Sequence, residues 1–179
     1  GCAFPNSVSQ VGGDVFYLAR DGFYKFSGNQ SVPIGAEKID HFFFKDFNEA
    51  QIEKMSTAVD PENQLVAWSY VSNDAVHATP EKLLIFTYAI NRWSLVETAC
   101  ELIAPLFTPA YTLEDLDNLS SSIDTLPAPL DSTLYKGGQY FFGGSQASKL
   151  FGFTGSVLAG TIETSEFAVQ ANRHSVVTR

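Results

Sequence analysis

The sequence predicts an all-β fold of small antiparallel sheets, β-propeller-like in kind, and three observations carry that prediction. Short stretches rich in aromatic and β-branched residues recur with polar turns between them, Asp21-Gly22 and Asp60-Pro61 among these, the pattern of hairpins joined by tight turns. Phe, Trp and Tyr make up 13% of the chain, and most fall inside the expected strands, where large rings fill the space between neighbouring small sheets. Residues 56–97 hold four consecutive expected strands, matching one propeller blade with its repeat of roughly 40–50 residues. One or two short helices accompany the strands. A β-sandwich is the alternative, because strand content alone does not give the order of pairing.

The elements follow in chain order. Asp14 to Gly28 reads as two strands, with Val15, Tyr17 and Ala19 alternating on one face, a tight turn with positive backbone angles at Asp21-Gly22, and a return through Phe23, Tyr24 and Phe26. "SVPIGAEKID" reads as a connection. In "HFFFKDFNEAQIEKM", Phe43, Phe47, Ala50 and Ile52 or Lys54 fall near helical spacing, and Asn48 with Gln51 resembles a capping box. "MSTAVDPENQLVAWSY" gives a strand, a turn over Asp60-Pro61-Glu62-Asn63, and a return strand through Val66, Trp68 and Tyr70. After a polar loop at "VSNDAVHATPEK", "LLIFTYAINRWSLVE" makes another hairpin, with its bend from Ala89 to Arg92 and Trp93 just after it.

A loop and short-helix insertion over residues 106–134 breaks the rhythm, and Thr112 with Asp115 is placed to cap its helix. Strands resume at "QYFFGG", "KLFGFTG", "SVLAGTIET" and "EFAVQA". Gly143-Gly144 and Ser145 to Ser148 are expected as a hairpin connection, and Gly155 repeats the turn role of Gly28. The chain opens without an initiator Met and closes on "NRHSVVTR", which alternates like a strand. Residues 1–179 therefore read as a single all-β segment, a fragment of a longer chain.

Composition narrows the function. A chain of 179 residues with 45% hydrophobic content can bury a substantial core. Its formal net charge of -9 argues against general binding to nucleic acid or anionic membranes, both of which depend on Lys and Arg meeting phosphates. Cys2 and Cys100 are too few for a disulfide framework and lack metal-ligand spacing, so they read as two reduced thiols. No apolar run reaches the length of a bilayer span.

The acids Glu114, Asp115, Asp117, Asp124 and Asp131 are the best lead to a site, since paired carboxylates hold divalent cations or divide acid and base roles in glycoside cleavage. "DLDNLSSSID" nevertheless lacks the central glycine and closing glutamate of a calcium loop. Helix-start acids in a solvated loop are the better reading. His41, His77 and His174 stand without partners at ligand spacing, and no nucleophile elbow appears. The glycine pairs Gly12-Gly13, Gly137-Gly138 and Gly143-Gly144 fit turns rather than phosphate loops, and the acceptor patterns at Asn29 and Asn118 are discounted as chance matches. The expectation is no catalytic residue, no metal and no cofactor.

"VGGDVFYLARDGFYKFSGNQSVPIGAEKIDHFF", followed by "AVDPENQLVAWSY", "KLLIFTYAINRWS", "YTLEDLD", "LPAPLDS" and "SVLAGTIETSEF", resembles the later part of large tailed-phage structural proteins. The chain is similar to the packaged-DNA-stabilising tail accessory and tail nozzle β-propeller proteins of short-tailed phages, over nearly its whole length in motif order. The resemblance implies a non-enzymatic virion component, made in the host cytoplasm. It would act in tail or head–tail connector assembly around the DNA channel, in a homo-oligomeric ring contacting other tail and portal proteins. Sequence-specific nucleic-acid binding and membrane binding are not implied. Asp21, Gly22, Gly28, Asp60, Asn63, Asn91, Arg92 and Trp93 match the family's turn pattern and would set its hairpins. The strands amount to about two to three blades, fewer than the four or more of a closed propeller, so further blades would come from elsewhere. An acidic ring would repel the phosphates of sliding DNA, with Glu114, Asp115 and Asp117 facing a lumen or solvent. The competing function is a carbohydrate-binding or carbohydrate-cleaving propeller module for host recognition, which would gather exposed Trp or Tyr with carboxylates in one cleft.

Overall fold

The computed structural model describes residues 1–138 and 140–153. Within them the strands form three antiparallel sheets. The first runs β1 (Ser9–Val11), β2 (Asp14–Ala19), β3 (Gly22–Ser27) and β4 (Gln30–Pro33); the second runs β5 (Ser56–Asp60), β6 (Leu65–Tyr70), β7 (Lys82–Thr87) and β8 (Arg92–Glu97). The third runs β9 (Leu102–Phe107), β10 (Tyr140–Gln146) and β11 (Lys149–Gly152). Every strand pairs with its sequence neighbour, so each sheet is an up-and-down meander. Helices α1 (Asp40–Asp46), α2 (Leu113–Leu119) and α3 (Thr133–Lys136) are short, and 3₁₀ turns lie at Pro5–Ser7, Glu49–Lys54 and Ile123–Thr125. The chain is all-β and blade-like, with a few more helical turns than the sequence suggests. The strands expected after Phe153, together with Gly155 and His174, lie outside the described residues.

Side-chain parity explains how the sheets stack. Strand β6 is buried along nearly its whole length, so its alternate residues must serve two different cores. Val66, Trp68 and Tyr70, with Leu84 and Phe86 beside them on β7, face Phe16, Leu18 and Phe23 of the first sheet. Ala67, with Leu83 on β7 and Ala58 on β5, faces Cys100, Ile103, Phe142 and Phe151 on the side of the third sheet. The middle sheet is thus covered on both sides. Its two interfaces differ: rings fill the first, whereas small side chains let the third sheet approach closely. The first strands of the three sheets lie side by side, β1 against β5 and β5 against β9, while β4 and β8 form outer edges.

Ser56 joins two of these inner strands. Its Oγ lies 2.6 Å from the Ser69 Oγ and accepts the Ile103 N–H at 3.1 Å, and the group is buried. Ser56→Ala strands the Ile103 N–H without an acceptor, and a buried donor left unpaired costs about 1–3 kcal/mol. A matching drop in urea midpoint at unchanged m-value is the expected result.

Several expectations change in the structure. Val15 and Tyr17 do share a face, but it is the outer one, where Tyr17 and Tyr24 stack at 5.8 Å; Phe16 and Leu18 carry the buried face, at 1% and 0% exposure. The β2–β3 turn is Arg20-Asp21, since Ala19 pairs with Gly22. Gly22 is already in the strand at φ 148°, and its lack of a Cβ lets the Asp40 carboxylate come close. The connection after Gly28 contains β4, and β1 and β9 are likewise strands that the sequence did not announce. Asn48 caps its 3₁₀ turn by accepting from the Ala50 N–H at 3.1 Å. The Gln51 arm of the capping box is not needed, because the Asn48 N–H already donates to the Val71 carbonyl at 2.9 Å. The bend before β8 is Tyr88 to Asn91, with Arg92 the first strand residue. Gly143 and Gly144 lie inside β10, and the turn is Ala147-Ser148.

Candidate functional site

The turn residues lie at the hairpin ends. Asp21 Oδ2 accepts from the Tyr24 hydroxyl at 2.7 Å. Gly28, at φ 63°, opens the two-residue turn between Ser27 and Gln30, where a glycine at the first central position suits the strand twist. Asp60 Oδ1 accepts from the N–H groups of Glu62 and Asn63 at 3.0 and 3.2 Å, while Asn63 Nδ2 donates to its other oxygen at 2.7 Å. Asn91 takes φ 54° and accepts from Lys38 Nζ at 3.0 Å. Arg92 is exposed. Trp93 reaches across to the first sheet, where its Nε1 donates to the Ile34 carbonyl at 3.1 Å and its ring packs on Phe23 and Phe86. These residues mark the ends of separate hairpins and do not converge on one cleft.

The acids lie on the surface. Glu114, Asp115, Asp117, Asp124 and Asp131 are all exposed, and among the described residues no group of three His, Cys, Asp or Glu side chains could hold a metal. Asp115 closes a capping box with Thr112, accepting from its N–H and its hydroxyl at 2.9 Å each. Those bonds hold its carboxyl below the usual range. His41 and His77 are exposed, and Cys2 and Cys100 are free thiols.

A half-buried ion pair was not anticipated. Asp46, at the end of α1, accepts from Lys82 Nζ at 2.8 and 2.9 Å and from the Tyr70 hydroxyl at 2.8 Å. Close by, Ser72 Oγ donates to Glu81 at 2.5 Å. Burial, with Asp46 beside it, pushes the Tyr70 phenol far above its ordinary value. That phenol stays protonated as a donor, so it offers neither a base nor a nucleophile near neutral pH. Both Asp46 oxygens are occupied as well. The arrangement clamps α1 to β6 and β7, and nothing local in the sequence announces it, because Asp46 and Lys82 are 36 residues apart.

Asp40 was also missed. Its Oδ1 accepts the Phe23 N–H at 3.1 Å, and its carboxylate fills the space where Gly22 and Gly35 lack a Cβ. Burial raises its pKa, with the Asp21 charge adding to the effect and the Phe23 bond opposing it. The only sequence signal for Asp40 is its place in the first turn of α1, where an acid is ordinary.

Tyr140 ties β10 to the middle sheet by donating to the Val59 carbonyl at 2.7 Å. Burial, with help from the Asp60 and Glu62 charges, pushes its phenol up to about 12. An unfolded tyrosine titrates near 10, so the folded state favours the neutral form. That contribution is complete below about pH 10 and is lost as pH rises through about 12. The melting temperature should therefore fall across this window, and Tyr140→Phe should fall less steeply than the parent.

What the surface offers is edges and apolar patches. Strand β4 is exposed at every position. Leu102, Phe107 and Leu150 of the third sheet are exposed, as are Phe153 just after β11 and Leu113, Ile123, Leu130 and Leu134 in the excursion between β9 and β10. Contiguous apolar patches of this sort mark interaction sites more often than chemistry. Both tryptophans, by contrast, are committed to packing: Trp68 is fully buried and Trp93 lies against the same cluster. Compared with known protein families and with curated proteins, the chain matches no family model and no curated protein.

Proposed function

We propose that this chain is a non-catalytic structural component of a tailed-phage virion, acting in tail or head–tail connector assembly around the DNA channel. The observation that carries the reading is the arrangement of the sheets. Three open meanders have their first strands side by side and their outer strands unpaired among the described residues. A propeller ring closes with four to eight such blades. Further blades, from the same or another chain, would complete the circle and cover the terminal faces, and open edges of this kind favour association. The partners in this reading are other copies of the chain and neighbouring tail and portal proteins, and the place of action is the virion.

Two further facts support it over a sugar-binding module. Carbohydrate clefts use exposed tryptophan and tyrosine with nearby carboxylates, whereas here Trp68 is buried in the core and Trp93 packs against it. The exposed acids, within a net charge of -9, suit a channel that must let DNA slide without holding it. No helix of the described residues is long and apolar enough to cross a membrane.

The test is the solution mass of the chain by light scattering across a concentration series. A defined oligomer is the expected result. A compact monomer at every concentration would count against the assembly reading and bring the stand-alone binding module forward.

A further inference from the structure

The excursion between β9 and β10 is built to be ordered and yet leaves its apolar side chains outside. The pair Phe107 and Tyr140 closes its base, and Gly138 N–H donates to the Thr108 carbonyl at 2.8 Å. Within it, Tyr135 is buried, its hydroxyl bonded to both backbone groups of Ala128 at 3.1 and 3.2 Å, and its ring meets Tyr111 edge-on at 5.8 Å. A capping box starts α2. Such a segment has its own hydrogen-bonded frame. Nevertheless Leu113 is 77% exposed and Ile123 70%, with Leu130 at 50%. Between α2 and the following 3₁₀ turn these residues, with Leu116 and Leu126, line a groove of about 160 Å³, with Asp117 at its edge.

Charge says what kind of surface could cover that groove. Residues 108–138 carry five carboxylates, Glu114, Asp115, Asp117, Asp124 and Asp131, and Lys136 as their one cation. All five acids are exposed. A second copy of this chain brings the same sign of charge, having 20 acids against 11 Lys and Arg. Like charges brought together cost affinity, and opposite ones select the partner. We infer that the excursion over residues 108–138 is a docking arm for a basic amphipathic segment of a different protein. That segment seats aliphatic side chains in the Leu113, Ile123 and Leu130 groove and sets Lys or Arg against the surrounding carboxylates. This deepens the assembly reading by naming the chemistry of one partner, and rests on it to that extent.

The probe is a synthetic amphipathic Leu/Lys peptide, titrated into the full chain by fluorescence anisotropy, with Leu/Glu and Ser/Lys peptides of equal length beside it. The Leu/Lys peptide should bind at least about tenfold more tightly than either control, a difference of about 1.4 kcal/mol. Ile123→Ser combined with Leu130→Ser keeps every charge and should weaken binding about tenfold, with an unchanged melting temperature. Glu114→Gln with Asp117→Asn and Asp124→Asn should weaken it too and flatten its salt dependence. Leu113→Ser, at the most exposed of the groove residues, repeats the apolar test should the double variant melt early. Equal binding of Leu/Lys and Ser/Lys peptides, or serine variants that bind like the parent, would overturn the inference by leaving only general attraction to an acidic surface. Self-association abolished by the same serine variants would overturn it in favour of a second copy. The mass measurement on the parent chain tests the assembly reading separately, so either can fail while the other stands.

Discussion

Trp68→Ala is expected to cost about 3–5 kcal/mol, the range for deleting a buried tryptophan side chain, and to leave the chain close to unfolding at room temperature. The residue lies where three parts of the chain meet. Its ring packs 4.9 Å from Phe23 of the first sheet and 5.8 Å from Trp93 on β8, and its Nε1 donates to the Ser7 carbonyl at 2.8 Å. Truncation therefore opens a cavity between the first two sheets and leaves a buried carbonyl without its donor. Trp68→Phe separates the two losses. It keeps a ring in the cluster and drops the hydrogen bond, with an expected cost of about 1–3 kcal/mol. Urea unfolding followed by circular dichroism reads both. An alanine variant as stable as the parent would mean that the first two sheets do not share this core.

Gly144→Ala should also be damaging, at about 1–3 kcal/mol, the usual cost of forcing a methyl group into packed surroundings. A Cβ at this position would lie 2.5 Å from Cys100 Sγ and 2.7 Å from the Leu102 carbonyl. The thiol could shift; the backbone carbonyl of a paired strand cannot do so without breaking the β9–β10 ladder. The turn at the end of the same hairpin predicts the opposite sign. Ala147 and Ser148 hold φ of 48° and 63°, the left-handed angles for which Asn-Gly is the favoured pair. Ala147→Asn with Ser148→Gly should therefore stabilise, by about 1 kcal/mol. Glycine is required in the strand and missing from the turn.

That inversion shows where sequence reading succeeds and where it stops. Hairpins carried by local chemistry were legible: Asp60 and Asn63 fold their turn with their own side chains, and Thr112 and Asp115 cap α2 as their spacing suggests. The aromatic content correctly signalled a ring-filled core between sheets. Strands that do not alternate were not legible. The all-exposed Gln30–Pro33 and the three-residue Ser9–Val11 present no buried face to write a period into the sequence. Pro105 in β9 argues against a strand until pairing shows that β9 is an edge, where a missing N–H is harmless. Gly143 and Gly144 look like turn residues until β9 and β11 are seen pressing against them from either side. Asp40 and the Asp46–Lys82 pair depend on contacts made across long separations in the chain, which no local pattern encodes. As for the candidate site, the exposed acids of the arm were visible at once, whereas the apolar groove beside them required the fold of α2 and its following turn.

The seam between the first two sheets also fixes an order of events during synthesis. The first meander contains only neighbour-to-neighbour pairings joined by two-residue turns, which form quickly because little chain must be closed. The bonds that lock one meander onto the next are different: Ser7 waits for Trp68 across 61 residues, and Ile34 waits for Trp93 across 59. As the chain leaves the ribosome, the first meander stands complete with Phe16 facing water until β7 arrives, while Phe23 meets Phe43 of α1 first and Trp68 and Trp93 only later. That interval, at ordinary elongation rates of about 5–20 residues per second, lasts several seconds. It is the period in which the nascent protein is most open to chaperones and to misassociation with its neighbours on the same message.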